Sequence, residues 1–170
     1  MLMSACSTTS EPVDLGQPLE EEPDPAIAEN DRNDVRKSDL QQIAVALEFY
    51  MVDTGAYPEA GGCMETESEL PEKLAPYLSQ FPTAESGVNN LCEDQYFYNA
   101  YGDGSSYVLV AELEEAQGFA RTDGDVYCDI PDVAFFTDSD SVADLQSKLE
   151  GYTCEDEDST PFYILMREPQ

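Results

Sequence analysis

Apolar residues recur at intervals of three and four between Asp34 and Thr54, at Val35, Leu40, Ile43, Ala44, Leu47, Tyr50 and Met51. That spacing gathers them on one face of a helix, and the stretch predicts a rod of about 30 Å. Asn30, Asp31 or Asn33 can cap its start, and Gly55 stands where it would end. Arg32, Arg36 and Lys37 lie near that start and oppose the helix dipole. Packing of the apolar face must outweigh that local cost.

Farther along, the period changes to two. Tyr96-Phe97-Tyr98 and the run from Ser105 to Glu114 are rich in aromatic and β-branched residues, separated by the turn-forming Tyr101-Gly102-Asp103-Gly104. Tyr107, Leu109, Ala111 and Leu113 make one face for the helix to cover. The other face carries Val108, Val110, Glu112 and Glu114 and turns wet towards its end. Val126 to Ile130 and Val133 to Thr137 read as short strands broken by Pro131. Ser141 to Gly151 reads as a helix, with Ser141 and Asp144 as a capping box, Val142, Leu145 and Leu149 on one face, and Gly151 at the C-terminal cap. Phe162 to Met166 is a late strand joining the sheet. The expected fold is α+β: a long N-terminal α-helix packed on a small antiparallel β-sheet, with a C-terminal extension from about residue 115 that holds a helix and short strands. No internal repeat is present.

The N-terminal residues have another character. Ser4 and Ala5 precede Cys6, and this start resembles the end of a bacterial lipoprotein signal peptide with its lipobox. The resemblance implies that residues 1–5 are a signal remnant and that Cys6 becomes an acylated N-terminus. Ser7 after that Cys resembles lipoproteins sent to the outer membrane of two-membrane bacteria. The basic start and apolar run of a full signal do not precede the lipobox, so the true start is expected upstream of Met1. Residues 6–32 are acidic and proline-rich, including Glu20-Glu21-Glu22-Pro23-Asp24-Pro25, and are expected to form a disordered stalk. Residues 33–170 are then the globular part.

Leu40-Gln41-Gln42-Ile43-Ala44-Val45-Ala46-Leu47-Glu48-Phe49-Tyr50, followed by Asp53-Thr54-Gly55-Ala56-Tyr57-Pro58, is similar to type IV pilins and type II secretion pseudopilins. Leu70, Leu74, Tyr77-Leu78 and Phe81-Pro82 resemble that family's segment before its sheet, and the two strand runs resemble its antiparallel strands. The likeness spans about residues 34–114. It implies a pilin-like domain with a structural or binding role and no catalytic residues. The family's prepilin cleavage site and apolar half-helix are replaced here by the lipobox and acidic stalk, which puts ordinary filament assembly in doubt. The alternative is a pseudopilin or minor pilin subunit whose apolar N-terminus lies outside this sequence.

Composition narrows the remaining chemistry. Against 37 Asp and Glu stand only 7 Lys and Arg, a formal net charge of −30, and the 170 residues include no His. Triads and zinc motifs that need His are excluded, and nucleic acid would be repelled. Such a surface suits a salty or alkaline habitat and should gain stability with salt. A carboxylate-dependent hydrolase of the envelope is a weaker alternative, because among so many acids some pair always looks suitable. Tyr96, Tyr98, Tyr101 and Tyr107 could stack on sugars, although at strand spacing half of them belong in a core.

Cys63, Cys92, Cys128 and Cys154 lack CxxC spacing and have no His partner, which argues against a zinc site. Four widely spaced cysteines on an exported domain read as two disulfides, with free buried thiols in a cytosolic protein the alternative. Three pairings are possible. Cys63–Cys92 and Cys128–Cys154 are preferred because each closes a loop within one half of the domain. Asp123-Gly124-Asp125 and Asp138-Ser139-Asp140 offer alternating oxygens, a fragment of a Ca²⁺ loop. Solvated turns are the simpler reading, with Asp123 and Asp125 the candidate ligands should Ca²⁺ bind. No cofactor is expected otherwise. The combined expectation is a non-enzymatic, disulfide-bonded domain anchored outside the cytosol to a bacterial membrane, with other pilin-like or envelope proteins as partners.

Overall fold

A computed structural model describes residues 25–64, 69–84, 91–92, 95–114, 125–154 and 159–169. In chain order the elements are α1 (Pro25–Thr54), β1 (Gly61–Cys63), α2 (Glu69–Leu74), β2 (Phe97–Tyr101), β3 (Ser106–Glu112), β4 (Val126–Cys128), α3 (Ala134–Thr137), α4 (Val142–Leu149) and β5 (Pro161–Arg167). The strands form one antiparallel sheet in the order β1-β2-β3-β5-β4. The fold is α+β.

Helix α1 has 30 residues and is about 45 Å long. It begins at Pro25, well before Asp34, so residues 25–32 are helical where a disordered stalk was expected. Pro suits the first helical position, where its missing N–H would have no partner in any case, and Ala26-Ile27-Ala28 then continue the helix. Asn30, Asp31 and Asn33 therefore lie inside α1 and do not cap it. The C-terminus is where the sequence placed it. Gly55 adopts φ +85° and donates its N–H to the Met51 carbonyl at 2.8 Å, a left-handed cap that glycine takes without strain.

The inner face of α1 lies on the sheet. Leu40, Ile43 and Leu47 are fully buried together with Tyr96, Tyr98 and Leu109, and each such side chain contributes about 1.5–3 kcal/mol on burial. After the helix, the chain turns at Tyr57, whose N–H reaches the Gly104 carbonyl at 2.8 Å. Gly104 has φ +77°, and a Cβ there would stand 2.7 Å from the Tyr57 carbonyl oxygen. The β2–β3 turn thus needs glycine at this position for the backbones to meet.

The second face of the sheet is covered as well. Phe97, Val108, Val110 and Ile164 pack under Phe136 of α3 and Leu145 and Leu149 of α4. The C-terminal residues are therefore integral to the fold: β5 lies between β3 and β4, and α3 and α4 complete a third layer. Two expectations change with this. Val133 to Thr137 is not a strand, because the Asp132 carboxylate accepts from the Phe135 N–H at 3.2 Å and starts a helical turn that aims Phe136 inward. Glu112 and Glu114 are not on a wet end; both are buried.

Both sulfur pairs are joined as preferred. Cys63–Cys92 ties β1 to the segment before β2, with Cα atoms 5.4 Å apart, and Cys128–Cys154 ties β4 to the segment after α4, at 5.0 Å.

Candidate binding surface on the long helix

Four carboxylates fix α1 in place. Glu114, just beyond β3, receives Arg32 and Arg36. Arg32 Nε donates to its Oε1 at 2.7 Å, a second Arg32 nitrogen meets Oε2, and Arg36 lies 2.7 Å from Oε1. Asn33 completes the clamp by pairing with the Glu114 backbone, donating to its carbonyl at 2.9 Å and accepting its N–H at 2.8 Å. The Arg32 hydrogen bond, and then that from Arg36, hold the Glu114 pKa below the ordinary glutamate value. The basic residues that look misplaced against the helix dipole thus anchor the helix to the sheet.

Farther along α1, each flanking acid meets a tyrosine. The Tyr96 hydroxyl donates to Asp39 at 2.7 Å, Tyr57 to Glu48 at 3.0 Å, and Tyr77 to Asp53 at 2.7 Å. Arg167 of β5 stands 3.4 Å from the same Glu48. Burial, with Glu48 adding to it, raises the Tyr57 pKa, and the bond to Asp53 raises that of Tyr77. Both hydroxyls therefore remain protonated donors at neutral pH.

With its rotation fixed, α1 turns a second apolar stripe outward. Val35, Val45, Phe49 and Val52 are 44%, 57%, 56% and 80% exposed, and they are the exposed large hydrophobic residues among those described. Val35 was expected on the inner face. Its neighbour Arg36 is buried instead, because Glu114 draws that side of the helix onto the sheet. Beside the stripe runs a shallow groove of about 310 Å³ lined by Ser38, Gln41, Gln42, Val45, Tyr77 and Leu78. The exposed positions of α1 from Asp31 onward include Asp31, Asp34 and Asp53 and no Lys or Arg. Chemically this surface offers apolar area and negative charge, the means of holding a partner. The spacing of the outward valines is visible in the sequence, but an amphipathic helix is expected to bury a single apolar stripe.

The other candidate residues are dispersed. Cys6 and Asp123 lie outside the described residues. Asp125 is exposed, and its carbonyl accepts the Ile164 N–H at 2.9 Å. Near Asp138 and Ser139 the cation is Lys148, which donates to the Asp138 carbonyl at 3.3 Å and to Ser139 Oγ at 2.9 Å, and lies 3.0 Å from Asp144. Among the described residues no three His, Cys, Asp or Glu side chains are grouped to hold a metal ion. Tyr96, Tyr98, Tyr101 and Tyr107 are all buried, so none offers a face for stacking on sugar. Burial raises the pKa of the last three.

Comparison with protein-family models, curated proteins and solved structures finds no match. Among the described residues no helix is both long and apolar enough to cross a membrane.

Proposed function

We propose that this chain is a non-enzymatic, pilin-like domain, tethered through Cys6 to the outside of a bacterial membrane, whose role at the cell envelope is to bind another protein. The observation that carries the reading is the closure of both sulfur pairs within one domain, since structural disulfides persist in oxidising compartments. The long helix along an antiparallel sheet, followed by the Tyr57-Pro58 turn, supports the likeness to pilins. The bare apolar stripe of α1 supports a binding role.

Expression from the native reading frame in a bacterial host, with radiolabelled palmitate, tests the tether. Label should enter the wild type and vanish in Cys6→Ser, which should leave the membrane fraction. Alkylation of the unreduced protein should find no free thiol among the four later cysteines. Unlabelled protein, or thiols that react, would remove the reading. The exposed α1 stripe also favours the second reading, a pseudopilin or minor pilin subunit, and processing at a prepilin-type site upstream of Cys6 would replace the first reading with it.

A further inference from the structure

The outward stripe of α1 has a regular geometry. Val35, Ser38, Gln42, Val45, Phe49 and Val52 follow one another at alternating steps of three and four, and all six are exposed. Alternating three-and-four spacing is the seam along which one helix packs on another. From Val35 to Val52 this seam is about 26 Å long. Tyr77 and Leu78, both half-buried, raise a wall along one side. Ser38 and Gln42 interrupt the apolar positions, and polar residues in a seam fix register.

Charge decides what kind of helix fits. Asp31 and Asp34 stand at one end of the exposed face and Asp53 at the other. The bases nearest the seam are engaged elsewhere, Arg32 with Glu114 and Lys37 over the Tyr163 ring at 5.6 Å. A second copy of this chain would bring the same acids and another net charge of −30 to the seam, and like charges placed together across an interface oppose association. We infer that the α1 seam, with its Tyr77–Leu78 wall, is a docking site for a basic amphipathic helix of a partner protein, which lays its apolar face on Val45, Phe49 and Val52 and its Lys or Arg side chains beside the flanking carboxylates. This deepens the binding role proposed above. It does not depend on the tether, so loss of palmitate labelling and loss of docking are separate failures.

Fluorescence anisotropy of labelled synthetic peptides on the purified full chain, at physiological ionic strength, provides the test. The probes are a Leu/Lys peptide with leucines at seam spacing, a scrambled Leu/Lys peptide of equal charge, and a Leu/Glu peptide with the same apolar face. The first should bind at least about tenfold tighter than either other peptide. The double variant Val45→Ser, Phe49→Ser should erase the first peptide's margin over the scrambled peptide while keeping the wild-type circular dichroism and melting temperature, because both side chains are exposed. Equal binding of the scrambled peptide, or of wild type and variant, would reduce the effect to bulk charge and overturn the assignment. Equal binding of the Leu/Glu peptide would overturn the basic partner. Sedimentation showing a wild-type dimer that Phe49→Ser dissolves would give the seam to a second copy and overturn the proposal.

Discussion

Glu114 gathers Arg32, Asn33 and Arg36 of α1 onto a single residue. Arg36 is almost wholly buried against it, and a buried guanidinium deprived of its counter-charge destabilises a protein by about 3–5 kcal/mol. Glu114→Ala should lose roughly that much in urea denaturation at neutral pH, and Glu114→Gln less, since the amide still accepts a hydrogen bond. The pH dependence follows from the direction of the shift. Folding lowers the pKa of Glu114 from its ordinary 4.5, so the ionised form is favoured in the native state. The associated stability is fully present above that ordinary value and is lost as pH falls below it, through the folded pKa. The stability gap between wild type and Glu114→Gln should therefore narrow from about pH 4.5 downward. A gap that stays constant into stronger acid would show that the clamp works by packing and not by charge.

Whole elements differ in how far their sequence announces them. Helix α4 was legible because its signals are local and agree: Ser141 accepts the Asp144 N–H at 3.2 Å, and Val142, Leu145 and Leu149 are buried on one face. Ser141→Ala should cost about 1 kcal/mol in chemical denaturation, the usual worth of such a cap, and should speed amide exchange in the first turn of α4; unchanged exchange there would contradict the cap. The inner stripe of α1, the alternation of β3 and the position of β5 were legible for the same reason, a period repeated several times. The remainder was hidden because tertiary contacts decide it. Strand β1 is only Gly61-Gly62-Cys63, without intrinsic β preference, and exists through its pairing with β2 and its disulfide. Helix α3 has the aromatic composition of a strand, and Asp132 reverses it. Glu114 finds Arg32, Asn33 and Arg36 some 81 residues away in sequence, beyond any local pattern. The outward seam of α1 was missed because an amphipathic helix is expected to have one apolar face, whereas this one has two.

Across the whole molecule 37 acids stand against 7 bases, and most of those bases are already matched with an acid. Arg32, Arg36, Lys73, Lys148 and Arg167 each stand in an ion pair within the fold, so little positive charge is left to screen the outer carboxylates. Two electrostatic effects then oppose each other as salt is added. Attraction within the pairs is weakened, but the pair at Arg36 and Glu114 is buried and is screened little. Repulsion among exposed carboxylates acts over distances comparable with the Debye length, which shrinks from about 10 Å at 0.1 M to about 3 Å at 1 M. Repulsion therefore loses more than attraction, and the melting temperature should rise steadily over that range. The rise should be the same with NaCl and KCl, since screening depends on ionic strength and not on the cation, and it should persist in Glu114→Gln, whose clamp contributes separately. A melting temperature that is flat or falls with salt would mean that the ion pairs outweigh surface repulsion. The same arithmetic bears on the α1 seam: salt that steadies the domain should also weaken its hold on a basic helix, so the two curves should run in opposite directions on one protein sample.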